Sequence, residues 1–299
     1  MTSIQLAFNR AAKEGKSKRI FFTGDSLMRQ IFVGIACNAW SFQGGSLIES
    51  AEIPWKEEWP CKETSNDRGN CFIRGGQHSG FDAASIRLTN GMELHFVPHR
   101  GFKDEDTAEP HVLERLVSDV VHHDGVTFGK KTAMSPGDPK VDVLVYSVGI
   151  HDSLRVTRRH IQHYANEISK PLMMREEEQH GSTKNVTLSF NSADSYSSSR
   201  TRTIYVTSPA QHYNTNNGQW QKGMNDESKK CVKEITSNPR AKVEKELLIP
   251  GVNVDVLLDY DDLSLGHMHV QKGDDCSHYC MPGVPDVVGA RLVEEFLSE

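Results

Sequence analysis

Arg19-Ile20-Phe21-Phe22-Thr23-Gly24-Asp25-Ser26-Leu27-Met28-Arg29-Gln30 carries a change of periodicity that decides how the rest of the chain is read. Arg19 to Thr23 is a short, mostly apolar run with the length and composition of a buried strand. Gly24-Asp25-Ser26 interrupts it with turn chemistry, and Leu27 to Ala39 then follows as a helix-compatible stretch. A strand that turns directly into a helix delivers the turn residue to the carboxyl edge of a sheet, beside the unpaired amides of the helix N-terminus. A hydroxyl held there can attack a carbonyl while those amides receive the oxyanion. The segment predicts an α/β fold with Ser26 as nucleophile at the sheet edge.

A serine nucleophile needs a base, and the base needs a group that orients it. Asp275 and His278, spaced Asp-x-x-His within Asp274-Asp275-Cys276-Ser277-His278-Tyr279-Cys280-Met281-Pro282-Gly283-Val284-Pro285-Asp286, supply both and lie one turn of chain apart. Gly-Asp-Ser alone is usually just a turn, and a lone Asp-x-x-His in a loop is usually solvated. Their combination is stronger, because the serine follows a first strand and the sequence between holds enough for a whole α/β domain. Ser, then Asp, then His is one of several chain orders that build this triad. Ser26 and His278 must meet, so residues 1–299 are read as one domain.

The intervening chain alternates strand and helix signals. Ser85 to Thr89 and Glu93 to Val97 flank Asn90-Gly91, a strong hairpin signal, and a helix is predicted over Glu109 to His122. Val141 to Val148 is a β-branched apolar run that reads as a central parallel strand ending at Gly149, followed by a helix over Ser153 to Met174. Thr203 to Thr207 and Val252 to Leu258 supply further strands, and Val284 to Leu297 a closing amphipathic helix. Gly44 to Gly80 reads as a long loop, and residues 175–202, rich in Glu, Ser, Asn and Thr, as a surface insertion. The alternation predicts a parallel central sheet with helices on both faces, a three-layer α/β/α arrangement. Ser26, Gly149 to Asp152 and Pro209 to Tyr213 would then share its carboxyl edge.

Composition narrows the function classes. With 299 residues, 37% hydrophobic and 25% charged, the chain can bury one large core. A net charge of -6 with both signs interspersed leaves no polyanion footprint, so nucleic acid is excluded as an expected partner. No apolar run has the length of a bilayer crossing, and residues 1–18 lack the apolar core of a signal peptide, so this segment is expected to make no membrane contact of its own. The six cysteines fit either buried thiols of a cytosolic enzyme or three disulfides. His267-Met268-His269 and His122-His123 have no accompanying acidic ligand pattern; no metal and no cofactor are expected.

At these residues the chain resembles the GDSL/SGNH hydrolase superfamily and, more closely, the PC-esterase branch that contains the trichome birefringence-like polysaccharide O-acetyltransferases. Gly24-Asp25-Ser26 matches the nucleophile motif, and Asp275 to Asp286 is similar to the family's Asp-Cys-x-His-Trp-Cys-x-Pro-Gly-x-Pro-Asp signature, with Tyr279 in the tryptophan position. Ser208-Pro209-Ala210-Gln211-His212-Tyr213, Gly218-Gln219-Trp220 and Cys231 resemble its Ser-Pro-x-His-Phe, Gly-x-Trp and following cysteine. Gly149-Ile150-His151-Asp152 departs from both Gly-x-Asn-Asp and Gly-His-Trp-Trp, so the oxyanion asparagine is missing and the role of His151 stays open.

The resemblance implies an O-acetyltransferase that moves an acetyl group from a donor to a polysaccharide or glycan hydroxyl through an acetyl-serine. An acetyl esterase with the same triad is the alternative, and a glycan-binding protein without turnover a remote one. Asp275 and His278 would serve Ser26, and the Ser26 amide and the Gly149 region would stabilise the oxyanion, with His151 in that region as an oxyanion or substrate-binding candidate. Trp220 is expected at the acceptor site, and His212 either lines that cleft or caps a loop. The resemblance also favours disulfides, expected as Cys61 with Cys71, Cys231 with Cys276 and Cys37 with Cys280. Disulfides imply the secretory lumen, such as the Golgi, or the extracellular space, and with it a removed targeting or anchoring segment. The sequon Asn185-Val186-Thr187 agrees with that route.

Overall fold

The computed structural model describes residues 19–43, 45–47, 84–89, 92–98, 142–150, 154–155, 157–158, 161–162, 202–221, 223–232, 238–265, 275–279 and 283–297. The opening strand is β1 (Arg19–Gly24), and its residues from Ile20 onward are buried because it lies inside the sheet with neighbours on both edges. It runs through Asp25 into α1 (Ser26–Gln43). Next come β2 (Gly45–Leu47), β3 (Ala84–Leu88), β4 (Glu93–Pro98), β5 (Val143–Tyr146) and β6 (Arg202–Val206). The remaining elements are α2 (Pro239–Leu247), β7 (Val256–Leu258), α3 (Tyr260–Ser264) and α4 (Val284–Leu297).

The seven strands form one sheet in the order β2-β3-β4-β1-β5-β6-β7. β4, β1, β5, β6 and β7 are parallel, so their carboxyl ends share one edge. β2 and β3 join antiparallel. The sheet is therefore mixed where a parallel one was predicted. The short connection from Leu88 to Glu93 explains this, since it can only return a strand antiparallel to its neighbour, in the register Ile86 opposite Leu94.

Alternation along each strand divides the core. Ile20, Phe22, Leu94, Phe96, Val143, Val145, Ile204 and Val206 project to one face, where α1 and α4 pack on the sheet and on each other. α1 contributes Met28, Ile31, Phe32, Ile35 and Ala39 at helical spacing. α4 contributes Val288, Leu292, Val293 and Phe296, whose ring meets Phe22 edge-on at 5.9 Å. The opposite face buries Phe21, Leu144, Tyr146 and Tyr205, and Tyr205 donates its hydroxyl to Glu244 of α2 at 2.9 Å.

Other departures from expectation have local causes. The predicted strand over Val252 to Leu258 begins only at Val256, because Gly251 adopts φ 79° in a turn that precedes it. β2 lies inside the stretch read as loop. α2 and α3 were not predicted; their caps are Asn238, which accepts from the amides of Arg240 and Ala241, and Asp259, which accepts from that of Asp262. Residues 154–155, 157–158 and 161–162 are helical, within the predicted helix after β5. The predicted helix over residues 109–122 and residues 175–201 of the predicted insertion lie outside the described residues, while Arg202, read as the insertion's last residue, is the first of β6.

Candidate active site

β1 ends at Gly24 and α1 begins at Ser26, leaving Asp25 as the single residue of the turn. A Cβ at Gly24 would come within 2.6 Å of Met28 Cβ, which is why the turn can be this tight only with glycine. Asp25 is fully buried and uses both carboxylate oxygens on backbone: Oδ1 accepts from Leu27 N at 2.9 Å, and Oδ2 from Ile150 N at 2.9 Å. The first contact caps the helix. The second draws in the corner that follows β5.

Ser26, Asp275 and His278 come together as predicted from their spacing. His278 Nε2 lies 2.6 Å from Ser26 Oγ, and His278 Nδ1 lies 2.8 Å from Asp275 Oδ2 and 3.0 Å from Oδ1. Asp275 Oδ1 also accepts from the amides of Ser277 and His278 at 3.1 and 3.2 Å, so the carboxylate folds the Asp-x-x-His segment around itself. Burial pushes the Asp275 carboxyl up, but the hydrogen bond and charge of His278 and the two amides outweigh it and hold the group down at about 2. It is an anion at neutral pH. Ser26 itself is 4% exposed, and the flanking Asp275 and His278 side chains are the more open members of the group.

Gly149 occupies φ 81° in the corner after β5, and a Cβ there would stand 2.3 Å from Asp25 Oδ2. Only glycine satisfies both the left-handed backbone and the contact. Its amide lies 3.3 Å from Ser147 Oγ, and its carbonyl 3.3 Å from Ser208 Oγ. Ser208 follows β6 and donates its amide at 2.6 Å and its hydroxyl at 2.7 Å to Glu244, a carboxylate with no solvent exposure. Burial raises the pKa of Glu244; the donors on Ser208, the charge of Arg240 and the Tyr205 hydroxyl only moderate the rise. His151, the other predicted oxyanion group, lies outside the described residues.

The segment after β6 is bound to the segment that carries His278. Gln211 donates Nε2 to Ser277 Oγ at 2.7 Å and accepts from Trp220 N at 3.4 Å, bridging the residue beside His278 to the aromatic loop. Trp220 is 56% exposed, an orientation open to a ligand. His212 is different. It is fully buried with Nδ1 3.1 Å from the Val232 carbonyl, and its backbone joins the Cys276 carbonyl and the Val232 amide, so it secures loops and lines no cleft. Tyr279, in the tryptophan position, donates its hydroxyl to the Ala210 carbonyl at 2.8 Å, a bond indole could not make from the same atom.

Cys231 and Cys276 form the predicted disulfide, with Cα atoms 5.3 Å apart. The bridge is compatible with a secretory or extracellular protein. Cys37 corrects the prediction of a bond to Cys280: it is a free thiol on the exposed stripe of α1. Burial of part of the side chain and the nearby Asp286 carboxylate raise its pKa, which disfavours the thiolate. Cys61, Cys71 and Cys280 lie outside the described residues. Among the described residues no group of three His, Cys, Asp or Glu side chains is arranged to hold a metal ion, and no helix is long and apolar enough to cross a membrane. No protein-family model matches the chain, and no curated protein matches it.

Proposed function

We propose that the chain is a serine-dependent acetyltransferase acting on a carbohydrate hydroxyl, in the PC-esterase branch of SGNH-like enzymes that its motifs resemble. The observation that carries this is the continuous hydrogen-bonded line from Asp275 through both nitrogens of His278 to Ser26 Oγ. Asp275 as an anion stabilises the Nδ1–H tautomer, leaving Nε2 as the acceptor that faces the hydroxyl. Ser26 Oγ attacks the donor's acetyl carbonyl as its proton passes to Nε2. The tetrahedral oxyanion would be received by the Ser26 amide at the start of α1 and by the Gly149 region, an oxyanion donor being typically worth about 3 kcal/mol.

Collapse breaks the bond to the leaving group, which takes the proton from Nε2, and leaves acetyl-Ser26. In the second half a sugar hydroxyl gives its proton to Nε2 and attacks the acetyl carbon; the acetyl–Oγ bond breaks, and Ser26 Oγ takes the proton back from Nε2. Trp220 supports a carbohydrate acceptor, since an exposed indole offers a flat apolar surface to a sugar ring. The sheet with helices fits the three-layer architecture of that branch, and the Cys231–Cys276 bridge fits a secretory or extracellular setting. The test is a chromogenic acetyl ester assayed with and without an oligosaccharide acceptor, with mass spectrometry of the Ser26 peptide. Transfer predicts an acetyl adduct on Ser26, acetylated sugar, and no turnover by Ser26→Ala. Hydrolysis of acetylated glycans with no response to any acceptor makes the protein an esterase, and the absence of turnover with any ester leaves only a binding role.

A further inference from the structure

The corner at Val148–Ile150 is tied to the protein by Tyr205, Ser147, Ser208, Asp25 and Arg240, and α2, the helix the sequence did not reveal, supplies Arg240 directly and Glu244 behind two of the hydroxyls. Tyr205 OH accepts from Val148 N at 3.4 Å, and Ser208 Oγ lies 3.3 Å from the Gly149 carbonyl. Glu244 grips both of these hydroxyls through Oε1, at 2.9 and 2.7 Å, and holds the Ser208 amide through Oε2 at 2.6 Å. Four residues earlier on the same helix face, Arg240 donates Nη2 to the Ile150 carbonyl at 3.2 Å and Nη1 to Thr157 Oγ1 at 2.5 Å. From the other side Asp25 accepts from the Ile150 amide.

A fully buried carboxylate is a costly way to join two strand ends when apolar side chains would do it more cheaply. Its presence is explained by what it holds. Resting on the acetyl-transfer reading above, we infer that Glu244 is a positioning residue for the oxyanion corner, holding the Tyr205 hydroxyl under the Val148 amide and Ser208 Oγ beside the Gly149 carbonyl. A single carboxylate thereby sets the distance between the β5 corner and the β6 end. An amide donor meets an oxyanion productively only within a few tenths of an ångström, so slack here should appear in the chemical step and not in ground-state binding.

The test compares Glu244→Gln, Glu244→Ala and Ser208→Ala with the wild type, reading kcat and KM on a chromogenic acetyl ester together with Tm. Glu244→Gln can turn its oxygen to the Ser208 amide and its NH2 to Ser208 Oγ, which frees the serine proton for the Gly149 carbonyl. It should stay within about three-fold of wild-type kcat, whereas Glu244→Ala should lose about ten-fold or more with KM changed less than about two-fold. Ser208→Ala keeps the backbone contact to Glu244 and tests the same path if Glu244→Ala does not fold. It should lose about three- to ten-fold in kcat while melting above the assay temperature. Wild-type kcat in Ser208→Ala, or a loss in either alanine variant that falls on KM or merely follows the folded fraction, overturns the inference. If Ser26→Ala is inert while these variants turn over normally, the acetyl-transfer reading stands and this one falls; a wild type without turnover removes both.

Discussion

Ile150 donates its backbone N–H to Asp25 Oδ2 at 2.9 Å, so the residue that precedes the nucleophile fixes a corner 125 positions further along the chain. The other oxygen of the same carboxylate caps α1 at Leu27. One side chain thus sets both walls of the space in front of Ser26. Asp25→Asn can keep only one of these bonds, because its NH2 would face a donor at either Leu27 or Ile150. A buried mispaired amide typically costs about 1–3 kcal/mol, and that loss should appear in urea unfolding alongside a fall in kcat of at least about ten-fold. Wild-type turnover in a folded Asp25→Asn enzyme would separate the Gly149 corner from the chemistry.

Acid sensitivity follows from Asp275. Its folded pKa of about 2 lies below the ordinary value of about 3.8, so its ionised, hydrogen-bonded form stabilises the fold. The sign is that of a depressed carboxylate: the contribution is complete above about pH 4–5 and disappears as pH falls through about 2. The Tm gap between wild type and Asp275→Asn should therefore be constant near neutrality and close between about pH 4 and 2. A gap that widens with acidity would contradict the hydrogen-bonded anionic arrangement. Asp275→Asn should also cut turnover strongly at neutral pH, and its loss should be far from additive with that of His278→Ala.

Reduction should reach the site before the sheet. The Cys231–Cys276 bridge spans 45 residues, for which loop closure alone gives roughly 4 kcal/mol of stabilisation. Cys276 adjoins Asp275, and its carbonyl accepts from His212 N, so opening the bridge frees the loop that carries the base. Under mild reductant, ester turnover should fall at concentrations where far-ultraviolet circular dichroism is unchanged. Simultaneous loss of both signals would show that the bridge is part of the core and has no separate bearing on the triad.

Acceptor use should depend on Trp220 more than background hydrolysis does. Trp220→Ala removes an exposed ring, so Tm should move by no more than a degree or two. With an oligosaccharide acceptor, the ratio of acetylated sugar to free acetate should drop about five-fold or more, by loss of stacking worth roughly 1 kcal/mol or above. An unchanged ratio would move the acceptor site away from this loop.

Much of the fold was legible because apolar periodicity and turn chemistry agreed. β1, β5 and β6 fell where the apolar runs lay, and α4 spans Val284–Leu297 as read. The contact of Ser26 with His278 was legible from residue types alone, since few arrangements use serine, aspartate and histidine in this context. α2 was not, and the reason is physical. Pro239-Arg-Ala-Lys-Val-Glu-Lys-Glu-Leu247 looks like a solvated charge run, yet Arg240 and Glu244 are buried and bound to backbone and hydroxyl groups far away in sequence. Periodicity counts apolar residues and is blind to a helix that buries its charges; only Asn238-Pro239, a cap followed by proline at the first helical position, marked it locally. His212 stayed open between cleft and loop cap for the converse reason, because a histidine after a strand end carries nothing in sequence that separates the two.

Ser26 and the imidazole that faces it are 252 residues apart. At typical synthesis rates of about 5–20 residues per second, the nucleophile leaves the ribosome ten seconds or more ahead of its base. Throughout that interval β1 and the start of α1 exist without any means of deprotonating the hydroxyl. On the proposed function, reactivity toward esters would thus be withheld from the nascent chain by the order of its segments, and would arise only when the Asp-x-x-His segment returns to the first strand.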